Sequence, residues 1–185
     1  PLIDALKADG LRVEPPILPG QESIGRVMPA SGWRAWAEAS EAAFDALAAA
    51  GGPVAVIGCS TGGTVAPRIA TRRPIARLVL LAPFLAILYG RLIPLRPASY
   101  FRHLARAIPH LPRRGPALRD RVMRRWATGQ DGFRTFNLHA TISALELIDE
   151  IGSLVSGITT PTLIIQGRLD TVVEPVNARW LYDQL

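Results

Sequence analysis

Ser60 is the residue whose neighbours best equip it to act as a nucleophile. It sits in Gly58-Cys59-Ser60-Thr61-Gly62, a G-x-S-x-G pattern, directly after the apolar run Pro53-Val54-Ala55-Val56-Ile57. A buried strand that stops at a glycine and turns sharply into a helix lifts the central hydroxyl above the strand end. Flanking glycines carry no Cβ atoms to clash in so tight a corner. The helix start offers backbone N–H groups to an anion, and the Thr61 N–H is expected to stabilise the oxyanion formed when Ser60 attacks a carbonyl. A serine in an ordinary glycine-rich turn is the competing reading, because a bare G-x-S-x-G arises often by chance. The strand before it and the helix after it favour the nucleophile.

Asp170 is the second candidate. It closes the loop Gly167-Arg168-Leu169-Asp170, which follows the β-rich run Pro161–Gln166. Open parallel sheets bind ligands at the carboxyl ends of their strands, so Ser60 and Asp170 belong to one rim. An aspartate there can accept a hydrogen bond from an imidazole, fix its tautomer and stabilise the imidazolium. The alternative is a loop aspartate capping the helix that starts near Pro175. Glu174 is the reserve acid.

The base is harder to find. A serine hydroxyl is a weak nucleophile without one. The three histidines, His103, His110 and His139, all precede Asp170, whereas sheets of this kind order the triad as Ser, acid, His. His103 and His110 lie in an arginine-rich stretch and are expected to be exposed. His139, beside Asn137 and Leu138, is expected to be a lining or buried histidine rather than the base. Cys59 is the single cysteine, expected to be a small buried residue, and it can form no intrachain disulfide. A lone cysteine fits a reducing compartment, so the expected location is cytoplasmic. Paired histidines with a carboxylate at metal-ligand spacing do not occur, and no metal or cofactor is expected.

These residues need a scaffold. A chain of 185 residues, 49% of them hydrophobic, can build one domain with a real core. The longest apolar run, Leu78 to Gly90, contains Pro83 and is too short to span a bilayer. The net charge is +6, almost all of it arginine, with Lys7 the single lysine. Arg102, Arg106, Arg113, Arg114, Arg119, Arg121, Arg124 and Arg125 cluster against Asp120 alone. A solvated helical face is favoured over a nucleic-acid footprint there, so no nucleic-acid partner is expected. Transient contact with an anionic lipid or membrane surface is a third reading.

The elements follow from periodicity and punctuation. Leu2–Ala8 reads as helix closed by Gly10, and Leu11–Val13 as a short extended run. Prolines and glycines break the chain to Gly20, and Gln21–Ser31 is loop. Trp33, Trp36, Ser40, Phe44 and Leu47 make one helical face, with Ser31 as N-cap and Gly51-Gly52 as stop. The tryptophans are expected to pack in the core or at its rim. Val54–Ile57 is a strand, a helix runs from the Ser60 turn to about Arg72, and Ala76–Ala82 is a second strand. Pro67 inside the helix is expected to kink it, less so if the helix begins near Thr61. Continuous apolar strands alternating with helices predict a parallel sheet covered on both faces. From Phe84 to Gly157 no strand is evident, and proline punctuation with the helical spacing of Ile142, Leu145, Ile148 and Ile151 predicts a helical insertion. The chain then returns to the sheet. The expected division is 1–83 and 158–185 for the core and 84–157 for the insertion.

At this point the residues resemble the α/β-hydrolase fold, and within it capped carboxylesterases and monoacylglycerol lipases. The similar pieces are Gly10-Leu11-Arg12-Val13 with Leu18-Pro19-Gly20, then Gly58 to Gly63, then Leu78 to Pro83, then Pro161 to Asp170. The resemblance implies an α/β class with a partial parallel sheet flanked by helices and an inserted helical cap. It implies Ser60 as nucleophile, Asp170 as triad acid and the Thr61 N–H as one oxyanion donor. Phe84, Leu85, Leu88 and Phe136, with Ile87, Tyr89 and Phe133, would line an apolar acyl pocket beneath the cap. It places the catalytic histidine beyond Leu185 and the second oxyanion donor upstream of Pro1, together with a further strand that would lie in the sheet between the Leu11 and Val54 strands. The chain is therefore expected to be an internal fragment of a longer hydrolase. The expected substrate is a small-molecule acyl ester, cleaved through an acyl-enzyme. Thioesterase or acyltransferase chemistry shares that intermediate, and a hydrolase-fold binding protein without catalysis is the alternative from another class.

Overall fold

A computed structural model describes residues 2–22, 27–85, 97–112, 120–128, 133–170 and 172–185. Three short aliphatic strands form its main sheet: β1 (Ala55–Cys59), β2 (Arg77–Leu81) and β5 (Thr162–Ile165). They lie parallel in the order β1-β2-β5. The register sets Cys59 beside Leu81 and Leu81 beside Ile165, so the three carboxyl ends are level. The expected strands Val54–Ile57, Ala76–Ala82 and Pro161–Gln166 are present, shifted by a residue or two at their ends.

Strand pleating sends alternate residues to opposite faces. On one face Gly58, Leu78 and Leu80 are buried, and Val56 and Ile164 pack against the same core. Helices α2 (Trp33–Ala48), α3 (Gly62–Arg72) and α6 (Leu138–Leu154) meet there, bringing Trp33, Trp36, Phe44, Val65, Ile69, Leu147 and Ile151. Each fully buried side chain of this size contributes roughly 1.5–3 kcal/mol. Ion pairs bind the three helices together. Arg68 of α3 pairs with Glu150 of α6 and lies 3.7 Å from Glu41 of α2, and Arg73 reaches Asp45 of α2 at 2.7 Å.

The opposite face differs from the expectation. Ile57, Leu163 and Ile165 are 41%, 54% and 53% exposed, so the described residues cover the sheet on one side rather than two. The reason is that α2, α3 and α6 all pack on the same side. Helix α1 (Leu2–Ala8) buries none of its residues. Cys59 points to the uncovered face and is exposed, not buried as expected. Leu11–Val13 forms no strand, and among the described residues no strand pairs with the free edge of β1. A cavity of about 240 Å³ lies between Pro16 and Leu18 on one side and Phe44, β1 and Ile69 on the other.

Two helix ends are also instructive. Gly51 and Gly52 stop the chain after α2 with φ of +83° and +90°. The start of α2 is not capped by Ser31. Its N-cap residue is Gly32, and the Trp33 N–H donates to Ser143 Oγ of α6 at 2.7 Å. Pro67 is fully buried within α3, which runs on to Arg72.

Residues 84–157 contain strands that the sequence did not reveal. β3 (His110–Pro112) pairs antiparallel with β4 (Thr135–Asn137), Leu111 facing Phe136. Each is three residues long and β3 ends in proline, so neither carries a periodic signal. Helix α4 (Pro97–Ala107) packs on α6 through Phe101, Leu104 and Ala105 against Leu138 and Ile142. Helix α5 (Arg121–Thr128) exposes Val122 and Met123. Asn137 knits this region to the rest. Its Oδ1 caps α6 by accepting from the His139 and Ala140 N–H groups, and its Nδ2 donates to the Met28 carbonyl. Helix α6, the last of residues 84–157, belongs to the main core. A 3-10 turn (Val155–Gly157) returns the chain to β5, and α7 (Pro175–Gln184) follows, anchored by buried Leu181. No described helix is long and apolar enough to cross a membrane.

Candidate active site

Ser60 is the first residue after β1 and stands just before α3. Its φ is +52°, the left-handed region that residues with a Cβ rarely adopt. Holding such a residue there costs on the order of 1–3 kcal/mol. Hydrogen bonds fix it on both sides. The Ser60 N–H donates to the Leu81 carbonyl at 3.0 Å, and the Ser60 carbonyl accepts from the Gly63 N–H at 2.8 Å and the Phe84 N–H at 3.0 Å. The bend is possible only because two glycines leave room. A Cβ on Gly58 would sit 2.8 Å from Ala66 Cβ and closer still to the Gly62 carbonyl, and one on Gly63 would lie 2.7 Å from Pro83 Cα. The Ser60 side chain is exposed. Among the described residues its hydroxyl makes no hydrogen bond, and the N–H groups of Thr61 and Gly62 donate to no protein acceptor. A free oxygen therefore stands beside two free donors.

Asp170 stands at the end of the third strand. Its Oδ1 accepts from the Val172 N–H at 2.8 Å and the Val173 N–H at 3.0 Å, and its Oδ2 from Gln166 Nε2 at 3.1 Å. Partial burial pushes its carboxyl up. The bonds from Val173 and Val172 and from Gln166 outweigh this and hold it below the usual aspartate value. Asp170 does not cap α7. The N-cap residue of that helix is Glu174, which makes no capping bond.

Level strand ends put Ser60, Ala82 and Gln166 side by side. The backbone bonds Ser60 N–H to Leu81 O and Ala82 N–H to Ile165 O continue the ladder one step beyond the strands. Two strand spacings, about 10 Å, separate the end of β1 from the end of β5.

The histidines of the chain lie elsewhere. His103 is exposed on α4. His110 is half-buried rather than exposed, because its Nε2 lies 3.2 Å from the Met28 carbonyl and 3.3 Å from Asn137 Nδ2. His139 is exposed and lines a groove with Arg102, Ser143 and Glu146. The expected acyl-pocket residues are dispersed. Leu85 is buried in the main core, Phe84 packs against that core, and Phe136 lies on β4 of the antiparallel β3–β4 pair. Leu88, Ile87 and Tyr89 fall outside the described residues. Neither of the two cavities described above is lined by Ser60 or Asp170.

Three supporting groups escaped the sequence reading. Gln166 anchors Asp170, and its position as the residue ending the strand was the available signal. Ala82 has φ +45°, a strained bend with no glycine to announce it. Thr64 is a fully buried hydroxyl in an otherwise apolar helix face.

This scaffold has relatives. Residues 20–185 match the sequence model of the serine aminopeptidase S33 family, a hydrolase family. The chain belongs to the serine aminopeptidase S33 family. Solved structures agree on an α/β-hydrolase fold. A monoacylglycerol lipase from Paleococcus ferrophilus is 22% identical with a TM-score of 0.64, over 80% of this chain and 61% of its own. A structure from the metagenome-derived lipolytic enzymes LipS and LipT is 19% identical with a TM-score of 0.69, over 84% and 60%. A soluble variant of monoglyceride lipase from Saccharomyces cerevisiae, crystallised with a substrate analogue, is 14% identical with a TM-score of 0.68, over 86% and 59%. This S33 chain thus spans about 60% of the length of the first of them. No curated protein matches it.

Proposed function

We propose that this chain carries the nucleophile and the acid of a serine hydrolase that cleaves carboxylic esters, as an esterase or monoacylglycerol lipase does. The observation that carries the reading is Ser60 itself: left-handed, exposed, unbonded at its hydroxyl, and level on the sheet rim with the Asp170 loop. In this reading Ser60 Oγ adds to the acyl carbonyl carbon while a histidine takes its proton. The carbonyl oxygen becomes an oxyanion, held by the Thr61 N–H and a second donor. The bond to the alcohol then breaks, the histidine returns the proton to the departing oxygen, and water cleaves the acyl-enzyme by the same steps. Asp170, its carboxylate favoured further by the bonds from Val173, Val172 and Gln166, would orient the imidazole and stabilise its charged form. The positions of His103, His110 and His139 favour a base from outside residues 1–185, and the 185-residue piece alone would then be inactive.

The test uses the complete gene product and a chain-length series of p-nitrophenyl esters. Ser60→Ala should lower turnover by about a millionfold without changing the melt. Residual turnover near wild type would remove Ser60 from the mechanism. The name of the matched family favours a second substrate class, peptide bonds at an amino terminus. Aminoacyl p-nitroanilides assayed beside the esters separate the two, since the same serine would serve either.

A further inference from the structure

The peptide plane between Ser60 and Thr61 carries two groups that point opposite ways, the Ser60 carbonyl and the Thr61 N–H. Whatever fixes one aims the other. The Ser60 carbonyl is fixed by two donors, the Gly63 N–H at 2.8 Å and the Phe84 N–H at 3.0 Å. The first comes from the adjoining turn of helix and is local. The second arrives from the far side of β2, on a segment that has no regular structure and contains the strained Ala82, at φ +45°. Such a bend persists only where its surroundings over-determine it. Its tether is Thr64. The Thr64 Oγ1 donates to the Phe84 carbonyl, so the same residue that gives its N–H to Ser60 is held at its other end by α3. Thr64 is fully buried, and Pro83 presses so closely on Gly63 that the bend lies flat against the first turn of the helix.

We propose that Thr64 is a positioning residue for the oxyanion hole. Through the Phe84 backbone it fixes the Ser60–Thr61 peptide plane, and thereby aims the Thr61 N–H at the developing oxyanion. Thr64 is fully buried and its hydroxyl bonds the Phe84 carbonyl, so it acts through the backbone. The inference rests on the ester-hydrolase reading above, because an oxyanion donor matters only if Ser60 forms a tetrahedral intermediate. A misaimed donor weakens binding of the oxyanion far more than binding of the neutral ester. Loss of a whole donor costs about a hundred- to a thousandfold in kcat, so a misaimed one should cost roughly ten- to a hundredfold.

The experiment compares Thr64→Val, which keeps the shape and removes the hydroxyl, with Thr64→Ser, which restores the hydroxyl, in the complete gene product. Thr64→Val should lower kcat roughly ten- to a hundredfold with KM within about twofold, and Thr64→Ser should recover most of it. Affinity for an alkyl trifluoromethyl ketone, which forms a tetrahedral adduct with a serine, should fall in parallel with kcat/KM. A purely structural role would lower the melting temperature and leave the kcat of the folded fraction unchanged, which overturns the proposal. Should Thr64→Val not fold, Thr64→Cys, with its weak S–H donor, takes its place. The same loss supports the proposal, and a kcat equal to that of Thr64→Ser overturns it. If neither variant folds, Thr64 serves stability and the assignment fails. Failure of the underlying reading has a different signature, in which Ser60→Ala keeps full turnover whatever Thr64 does.

Discussion

The two turns on the sheet rim are held in opposite ways. At the Ser60 turn every bond is made by backbone, and the side chain is left alone. At the Asp170 loop the side chain collects three hydrogen bonds, and its backbone N–H makes a single long one to the Gly167 carbonyl at 3.2 Å. The difference follows from what each group would do. A nucleophile needs a fixed position and a free oxygen, so the chain spends strain on geometry. A triad acid needs a fixed charge, so the chain spends donors on the carboxylate.

The largest way to break that comparison is to remove the charge and keep the shape. Asp170→Asn should lower kcat/KM on p-nitrophenyl esters by about ten-thousandfold, since the amide would favour the wrong imidazole tautomer. It should still be a milder lesion than loss of Ser60. A rate equal to wild type would hand the acid role to Glu174. The next largest effect concerns space. Gly58→Ala forces a Cβ against Ala66 and the Gly62 carbonyl, and should destabilise the protein by about 3 kcal/mol or more. Gly167→Ala in the other turn meets nothing nearer than Asp170 Cβ at 4.0 Å, and should stay within about 0.5 kcal/mol of wild type. Denaturant midpoints of the pair would show whether crowding belongs to the nucleophile turn alone.

The smallest effect is in pH. Asp170 is held below its unfolded value, so its contribution to stability is complete above pH 4 or so and disappears as pH falls through the lowered folded value. Thermal melts from pH 6 to pH 3 should therefore show wild type losing its margin over Asp170→Asn only below about pH 4. An equal margin at pH 3 would mean that the carboxylate is not the favoured form. For the same reason, an acid limb in kcat/KM near neutral pH would belong to the histidine and not to Asp170.

Much of this contrast was legible in the residues. Gly58, Ser60 and Gly62 announce a sharp exit from an apolar strand, and Asp170 four residues past Gln166 announces a loop at the same sheet edge. What was not legible arises from contacts distant in sequence. Ser143 caps α2 across 110 positions, and no local pattern encodes that bond. The three-residue strands around Leu111 and Phe136 exist because they pair with each other, not because either prefers extension. Cys59 and Leu163 look like core residues by type, and their exposure depends on which side the helices choose. Gln166 and Thr64 read as ordinary polar residues until their partners are known.

The side of the sheet left uncovered by the described residues has a consequence for the 185-residue chain in solution. Ile57 of β1 with Leu163 and Ile165 of β5, on either side of half-buried Val79 and Leu81 of β2, form a strip of hydrocarbon that water wets badly, and the amides along the outer margin of β1 offer a template beside it. Two copies can shed solvent by laying those strips together. Sedimentation at rising protein concentration should show such self-association, and sulfate should drive it further; a single slow species under both conditions would show that something in the chain already shelters the strip.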